Sequence, residues 1–323
     1  MRFRQNLPYL GMLLTGLGVT NPDGTRLDAN ETGFIAKSLE YVQAQSYDVE
    51  YAPADARRFI PVDTSVPNGA ETFAYDQWDT TGLAKIIANY ADDLPSVAAF
   101  VTRVPAVCKS VGASYDYSLQ DIRAIQFARS RLDEKRIQAA SQAIEYTIDD
   151  IAAFGNAEHG LTGFLNSAAV PVVPIPNGNW TIATSADSML ADLTAFANAI
   201  VSQTKTRHKP NTILLDTESF GFLLRPVGAD YGRTIMSAFL SNNPYITSIE
   251  QWTKLDTADA NGTGPRWVCY EKSPLVVNLV ISQEFEQLPP QAKNLAFHVP
   301  CHARTGGVTF RIPLACAYAD RDL

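Results

Sequence analysis

The chain has 323 residues, of which 46% are hydrophobic and 19% charged, and its formal net charge is -8 at pH 7. This length suffices for one large hydrophobic core or two modest ones. The negative charge argues against a protein whose main task is to grip nucleic acid through its phosphates. No apolar run approaches the roughly 18 residues that a membrane span needs.

Residues 1–30 are predicted to be an N-terminal docking arm. The first twenty residues carry two arginines and a short apolar stretch, but Pro8 and three glycines interrupt it. No small-residue cleavage site follows, which argues against a signal peptide. A helix is then predicted over residues 31–45, because Asp28 or Asn30 can cap it and its apolar residues share one face.

Residues 46–117 read as an extended segment, because prolines at positions 53, 61, 67, 95 and 105 break any long helix. Alternation over Glu71–Trp78 predicts a strand with Phe73 and Tyr75 on one face. Phe100–Val111 is the predicted return strand, in which Pro105 marks an edge or a bulge. A short helix is predicted between them, over Gly82–Asp92. Two strands alone form a marginally stable ribbon in water, so we expect the ribbon to lie on a neighbouring chain.

The longest helical pattern runs from Ser118 to Phe154, without Gly or Pro. Ser118 and Asp121 have the spacing of a capping box. At 1.5 Å per residue the segment would span roughly 55 Å, too long for a core helix of a compact domain. The apolar register slips near Leu132, so we expect a kink or short break with Asp133 capping a second helix.

The rest of the chain alternates between helices and strands. A loop is predicted over Asn156–Gly163, then helices over Ser185–Thr204, Thr217–Leu224 and Thr234–Leu240, and strands over Asn211–Asp216, Ile246–Leu255, Arg266–Glu271, Leu275–Gln283 and Gly307–Tyr318. Asp216 or Thr217 is the predicted cap of the second of these helices. The pattern predicts an α+β domain around a mainly antiparallel sheet.

No cluster of residues indicates a metal site. His298, Cys301 and His302 are the nearest approach, but a strand would place the two histidines on one face and the cysteine on the other. No carboxylate follows closely in sequence to complete a shell. The four cysteines, Cys108, Cys269, Cys301 and Cys316, lie far apart without a CxxC pair, so free thiols are expected.

Catalytic patterns are equally lacking. Asp149 and Asp150 are adjacent on a helix and so diverge, which predicts solvated or interface charges. Asp216 and Glu218 are explained by helix capping, and His159 by a turn. The common hydrolase, nucleotide-binding and zinc-protease motifs are absent. The sequence therefore predicts no catalytic, cofactor-binding or metal-binding residues.

The order of these elements resembles the HK97-type major capsid protein fold of tailed bacteriophages. Two motifs carry the resemblance more specifically. Ala153–Asn166 (AFGNAEHGLTGFLN) is similar to the segment after the long spine helix of many phage capsid proteins, and Arg304–Asp320 is similar to the ending of one capsid family. The implied fold is α+β, with an N-terminal arm, an extended E-loop hairpin, a long spine helix in a peripheral domain, and a mixed α/β axial domain.

The resemblance also implies a division of labour along the chain. Residues 46–117 would be the E-loop and its flanking strands, laid over an adjacent subunit. Residues 118–166 would form the peripheral domain, joined by the helix 31–45 and by the C-terminal strand within 296–323. Residues 167–295 would be the axial domain, clustered around five-fold and six-fold axes.

The implied function is structural and not enzymatic. Hexamers and pentamers of the chain would self-assemble into an icosahedral head around double-stranded DNA, touching that DNA non-specifically on the inner wall. A portal, a separate scaffolding protein and a decoration protein are the implied partners, without a membrane or a cofactor. The protein would reside in the virion after assembly in the host bacterial cytoplasm.

Two features of some relatives are not expected here. Covalent cross-linking needs a lysine in the E-loop, and Lys85 is the first lysine after residue 46. Only about 30 residues precede the first predicted helix, too few for a fused scaffolding domain. We therefore expect a separate scaffolding protein, or a fused one removed before residue 1.

Two other functions remain open at this point. An encapsulin, a bacterial nanocompartment with the same fold, would hold an enzyme cargo. An α/β hydrolytic or carbohydrate-processing enzyme would be a monomer or small oligomer with a concave pocket. The long helix and the extended arm count against the enzyme.

Overall fold

A computed structural model describes residues 52–86, 96–128, 132–228 and 232–321. The predicted arm over residues 1–30 and the helix predicted over 31–45 lie outside the described residues. The helices are α1 (Ala56–Phe59), α2 (Leu119–Ala128), α3 (Leu132–Phe154), α4 (Ala186–Gln203), α5 (Thr217–Leu223) and α6 (Ile235–Asn242), with 3-10 turns at Thr253–Thr257 and Pro313–Ala315.

The strands form two larger sheets and two hairpins. They are β1 (Val62–Asp63), β2 (Thr72–Thr81), β3 (Ala98–Val107), β4 (Lys109–Ser118), β5 (Gly155–Asn156), β6 (Leu161–Thr162), β7 (Thr212–Leu215), β8 (Ser248–Gln251), β9 (Arg266–Tyr270), β10 (Val277–Gln287), β11 (Gln291–Lys293), β12 (Ala296–Phe310) and β13 (Cys316–Asp320). The hairpins are β2 with β3 and β5 with β6.

The first sheet has the order β1-β10-β12-β11, with β4 along the other side of β12. Only the β1–β10 pairing is parallel. Helix α3 buries Ala140, Ile144 and Ile148 in the same apolar cluster as the inner face of this sheet. Residues spaced by four positions lie on one face of a helix, so α3 turns this face to the sheet.

The second sheet has the order β13-β9-β7-β8 and is antiparallel except between β7 and β8. Its core includes Met189 and Phe196 of α4 together with Trp180 and Trp267, all buried. The prediction of an α+β fold around a mainly antiparallel sheet is confirmed.

The caps predicted at Ser118 and Asp216 are present, and two further helices have caps that were not predicted from the sequence. Ser118 and Asp121 exchange the two hydrogen bonds of a capping box, at 3.1 and 3.2 Å. Ser185, Asp216 and Thr234 each accept a backbone N–H of the first turn of α4, α5 and α6. Asp133, the predicted cap of a second helix, lies inside α3, one residue after its start. The break was predicted within Ser130–Arg136; residues 130 and 131 lie outside the described residues, and residues 132–136 are helical.

Several strand predictions need correction. The final strand, predicted over Gly307–Tyr318, is two strands, because the chain turns at Pro313, which has no N–H for a ladder. Strand β12 ends at Phe310 in the first sheet, whereas β13 pairs with β9 in the second. The segment 296–323 therefore contributes to both sheets.

The region around the hairpin also differs from its prediction. The predicted return strand Phe100–Val111 is β3 followed by β4, which continues to Ser118 and pairs with β12. The strand predicted over Ile246–Leu255 is the short β8 and a 3-10 turn. Residues 82–86 are not helical, and most of the helix predicted over Gly82–Asp92 lies outside the described residues.

Candidate assembly interface

The β2–β3 hairpin is attached to the first sheet only at its root. Its register runs without a shift from Thr72 opposite Val107 to Thr81 opposite Ala98. The predicted face of Phe73 and Tyr75 is the half-buried one, and the Tyr75 hydroxyl donates to the carbonyl of Phe310 at 3.0 Å. The prediction that these two aromatic residues share a face is confirmed.

Two further contacts fix the root. Arg304 donates from its guanidinium to the carbonyl of Asn68 and, at 2.9 Å, to that of Ala70. Gly306 leaves the space that the Phe73 ring fills, since a Cβ built on it would lie 2.8 Å from Phe73 Cε1. The hairpin is thus held by β12 where it begins.

The outer half of the hairpin packs against no other part of the described chain. Every side chain from Asp76 to Thr81 and from Ala98 to Arg103 is exposed. Trp78 is 70% exposed and lies opposite Val101, which is 47% exposed, and Phe100, 58% exposed, lies on the other face of the ribbon. Leu83 and Ile86, beyond β2, are 84% and 98% exposed. An apolar ribbon of this kind marks an interaction surface.

One ion pair stabilises the exposed ribbon from within. Arg103 lies opposite Asp76 and donates to its carboxylate at 2.8 Å. That hydrogen bond lowers the pKa of Asp76 below its ordinary value. The pair is itself largely exposed and leaves the apolar side chains beyond it uncovered.

A second exposed feature is the outer edge of β4. In the described part of the chain β4 pairs with β12 alone. The Leu119 N–H bonds the Leu295 carbonyl at 2.9 Å, so the ladder uses the odd-numbered residues of β4. Ser110, Gly112 and Ser114 therefore direct their backbone N–H and C=O groups away from β12. An edge with such small side chains can accept a strand from another chain.

The residues weighed as metal ligands are separated as predicted. His298 pairs with Asp116 and His302 approaches Glu286 at 3.5 Å, whereas Cys301 is buried on the other face. Within the described ranges no three His, Cys, Asp or Glu residues are grouped to hold a metal ion. The four cysteines are free and buried, and burial raises the pKa of the Cys269 and Cys316 thiols.

The carboxylates weighed as catalytic groups have structural contacts. Asp216 accepts from Ser219 N–H at 3.0 Å and from Trp267 Nε1 at 2.8 Å, which confirms its capping role. The prediction of solvated or interface charges is wrong for Asp149, which is buried between the Ala56 N–H and Lys254 Nζ, each at 2.7 Å. Its neighbour Asp150 is exposed and pairs with the same lysine.

The backbone N–H of His159 donates to Asn156 Oδ1 at 3.1 Å, as a turn requires. None of the described helices combines the length and the apolar character needed to cross a membrane.

Comparison with known proteins gives one family match. The model of the family described as "Major capsid protein" matches residues 82–321. No curated protein matches the chain.

Solved structures show the same fold at low identity. The capsid of Myoviridae phage XM1 superposes with a TM-score of 0.76 at 13% identity, over 88% of this chain and 97% of that one. The structure from Mycobacterium phage Bobi superposes with a TM-score of 0.59 at 14% identity, over 92% of this chain and 99% of that one. A virus-like particle from Pyrococcus furiosus superposes with a TM-score of 0.52 at 11% identity, over 81% of this chain and 90% of that one. The predicted HK97-like capsid fold is confirmed.

Proposed function

The chain belongs to the major capsid protein family, and from that premise we propose that its copies close into an icosahedral head around double-stranded phage DNA. The family gives it a structural role, as the building block of a capsid shell. Hexamers and pentamers are the units that such a closed shell combines. We assign no catalytic activity to the chain.

The exposed half of the hairpin carries this proposal. Burying one large apolar side chain contributes about 1.5–3 kcal/mol relative to leaving it in water. Trp78, Leu83, Ile86 and Phe100 are all more than half exposed in the single chain. A neighbouring copy that covers them would gain most of that free energy. Covering the hairpin and building the shell are then one event.

The proposed roles of the segments follow from this arrangement. The exposed outer half of the β2–β3 hairpin, within residues 46–117, reaches over an adjacent subunit as the E-loop. Residues 118–166, with the helix predicted over 31–45 and with β10 and β12, form the peripheral domain, and residues 167–276, with β13 paired to β9, form the axial domain around the five-fold and six-fold axes. Each contact can be modest, because a closed shell repeats it over many copies.

Partners and location are inferred on the same basis. We infer a separate scaffolding protein, a portal and a decoration protein, assembly in the host bacterial cytoplasm, and residence in the virion. Covalent cross-links between subunits are not part of the proposal, because no lysine precedes Lys85 in the E-loop segment. The packaged DNA is contacted without sequence specificity.

Negative-stain microscopy of the expressed chain, after size-exclusion chromatography, tests the proposal. Shells, tubes or megadalton rings are expected, with a scaffolding partner supplied where the chain alone stays small. A chain that remains monomeric with such a partner present would overturn it. Shells that purify with a bound enzyme and never package DNA would favour the encapsulin instead.

A further inference from the structure

The segment Thr204–Lys209 (TKTRHK), which we call the basic loop, concentrates positive charge in a chain of net charge -8. Three of its last five residues are Lys or Arg and a fourth is His208. The loop joins the end of α4 to β7 and so lies at one end of the second sheet. Its charge is opposite to that of the chain as a whole.

The charges of the basic loop are exposed and largely unneutralised. Lys205, Arg207 and Lys209 are exposed, and neither Lys205 nor Arg207 forms an ion pair with the described residues. Lys209 Nζ lies 5.5 Å from the centre of the Tyr245 ring. Glu271 contacts the loop, but it pairs with His208 Nδ1 at 2.9 Å. Other arginines of the described chain, such as Arg57, lie against carboxylates.

The loop is also closed on itself. The Thr204 hydroxyl accepts the His208 N–H at 3.2 Å and donates to the Ile200 carbonyl at 2.8 Å. The Arg207 N–H bonds the Thr204 carbonyl at 3.1 Å. These bonds fix the base of the loop, so that ordering its cations around a ligand costs little backbone entropy.

The backbone of the loop is in an unfavourable conformation. Lys205 has φ 50° and Thr206 has φ 66°, where a helix end ordinarily places glycine. A β-branched residue in this region is an outlier. Such conformations persist most often where function requires them. The outlier therefore agrees with the exposed charge in marking the loop as a functional site.

We propose that the basic loop is the point at which the shell binds the phosphate backbone of its packaged double-stranded DNA. The proposal rests on the proposed function, which places DNA inside the shell. A wall of negative subunits repels DNA, and a small local cation cluster makes contact without holding the whole duplex tightly. Lysine and arginine bind phosphate without reading sequence, as packaging of an entire genome requires.

The test measures binding of a fluorescent DNA duplex to the full-length protein by anisotropy, between about 50 and 200 mM salt. The variant is Lys205→Gln/Arg207→Gln/Lys209→Gln. Its control, Lys109→Gln/Arg123→Gln/Lys293→Gln, changes the net charge equally at three exposed positions elsewhere. The loop variant should bind at least about tenfold more weakly, and its salt slope should flatten by about 0.9 for each lost phosphate contact.

Three results would overturn the proposal. The wild type fails to bind at low salt, the two variants change binding equally, or the loop variant keeps DNA binding but loses binding to polyglutamate, which would assign the loop to an acidic protein. Shell formation, scored by microscopy on the same samples, reports on the proposed function separately. A chain that forms shells but binds no DNA through the loop refutes only this inference.

Discussion

The carboxylate of Asp149 accepts the backbone N–H of Ala56 at 2.7 Å, although 93 residues separate the two in the chain. Asp149 lies near the end of α3, and Ala56 is the first residue of α1. The N-cap residue of α1, Asp55, makes no capping bond with its own side chain. A residue of the long helix therefore caps the short helix that precedes the hairpin.

Replacing Asp149 with alanine should destabilise the chain by about 3 kcal/mol, because it leaves the Ala56 N–H unsatisfied and removes one partner of Lys254. Urea unfolding of the unassembled protein measures the loss. The control is Asp150→Ala, since Asp150 is exposed and pairs with the same lysine, so its loss should stay below about 1 kcal/mol. Equal losses for the two variants would contradict the assigned role of Asp149.

The exposed half of the hairpin can be removed without its root. Gln77 lies opposite Thr102, so the segment from Gln77 to Thr102 can be replaced by Asn-Gly, which closes a two-residue hairpin turn. The ion pair between Asp76 and Arg103 and the Tyr75 contact with β12 remain. We expect a folded protein with unchanged circular dichroism that forms no shells. Normal shells from this variant would show that the hairpin is not an assembly element.

Substitutions at two tryptophans distinguish a role in assembly from a role in folding. Trp78 is 70% exposed on the hairpin, whereas Trp180 is fully buried. The ring centres of Trp180 and Trp267 lie 4.4 Å apart, and Trp180 Nε1 donates to the Asp192 carboxylate at 2.8 Å. Trp180→Ala should cost about 3–5 kcal/mol of stability. Trp78→Ala should change stability by less than about 0.5 kcal/mol but lower the yield of shells.

Thermal unfolding and light scattering, carried out on both tryptophan variants, give the two readouts. If Trp78→Ala unfolded as readily as Trp180→Ala, the ribbon would be packed within its own chain. If it assembled as well as the wild type, Trp78 would not be part of the interface.

The contact between the hairpin root and β12 depends on the absence of a side chain at Gly306. A Cβ there would lie 2.8 Å from Phe73 Cε1 and 3.2 Å from Val280 Cβ, so Gly306→Ala should cost about 1–3 kcal/mol. Gly221→Ala is the control, because nothing lies within 4 Å of its Cβ position and alanine favours the helix α5. Adding Phe73→Leu to Gly306→Ala should restore part of the loss. If the double variant were no more stable than Gly306→Ala, the strain would not come from contact with the Phe73 ring.

The sequence predicted the features that are set by residues close together in the chain. The caps predicted at Ser118 and Asp216 each lie a few positions before the N–H that they accept, and both are present. Ser185 and Thr234, the first residues of two predicted helices, cap α4 and α6 in the same way. The candidate interface could also be predicted from the sequence, because a two-stranded, proline-rich ribbon is marginally stable alone and must pack against another chain.

Long-range partners were not predictable in the same way. Nothing near Asp149 in sequence reveals Ala56 or Lys254, and so its burial was missed. The division of the C-terminal strand between two sheets depends on pairing with β9 and β10, whose register is set by the whole fold. The sequence pattern around Cys316 would be the same whichever strand it paired with, so it does not reveal the pairing with β9.

The left-handed backbone at Thr206 predicts one stabilising substitution. Glycine adopts φ 66° without steric cost, so Thr206→Gly should raise the free energy of unfolding by up to about 1 kcal/mol despite the greater freedom of the unfolded chain. Thr206→Ala is the matched control, because it removes the hydroxyl bond to the Lys205 carbonyl but keeps a Cβ in the unfavourable region.

Both Thr206 variants keep Lys205, Arg207 and Lys209, so DNA binding through the basic loop should persist in each. Greater stability for the alanine variant than for the glycine variant would mean that the backbone at Thr206 is not strained. A stable Thr206→Gly protein that binds the duplex more weakly than Thr206→Ala would show that the rigid left-handed turn itself positions the cations for phosphate.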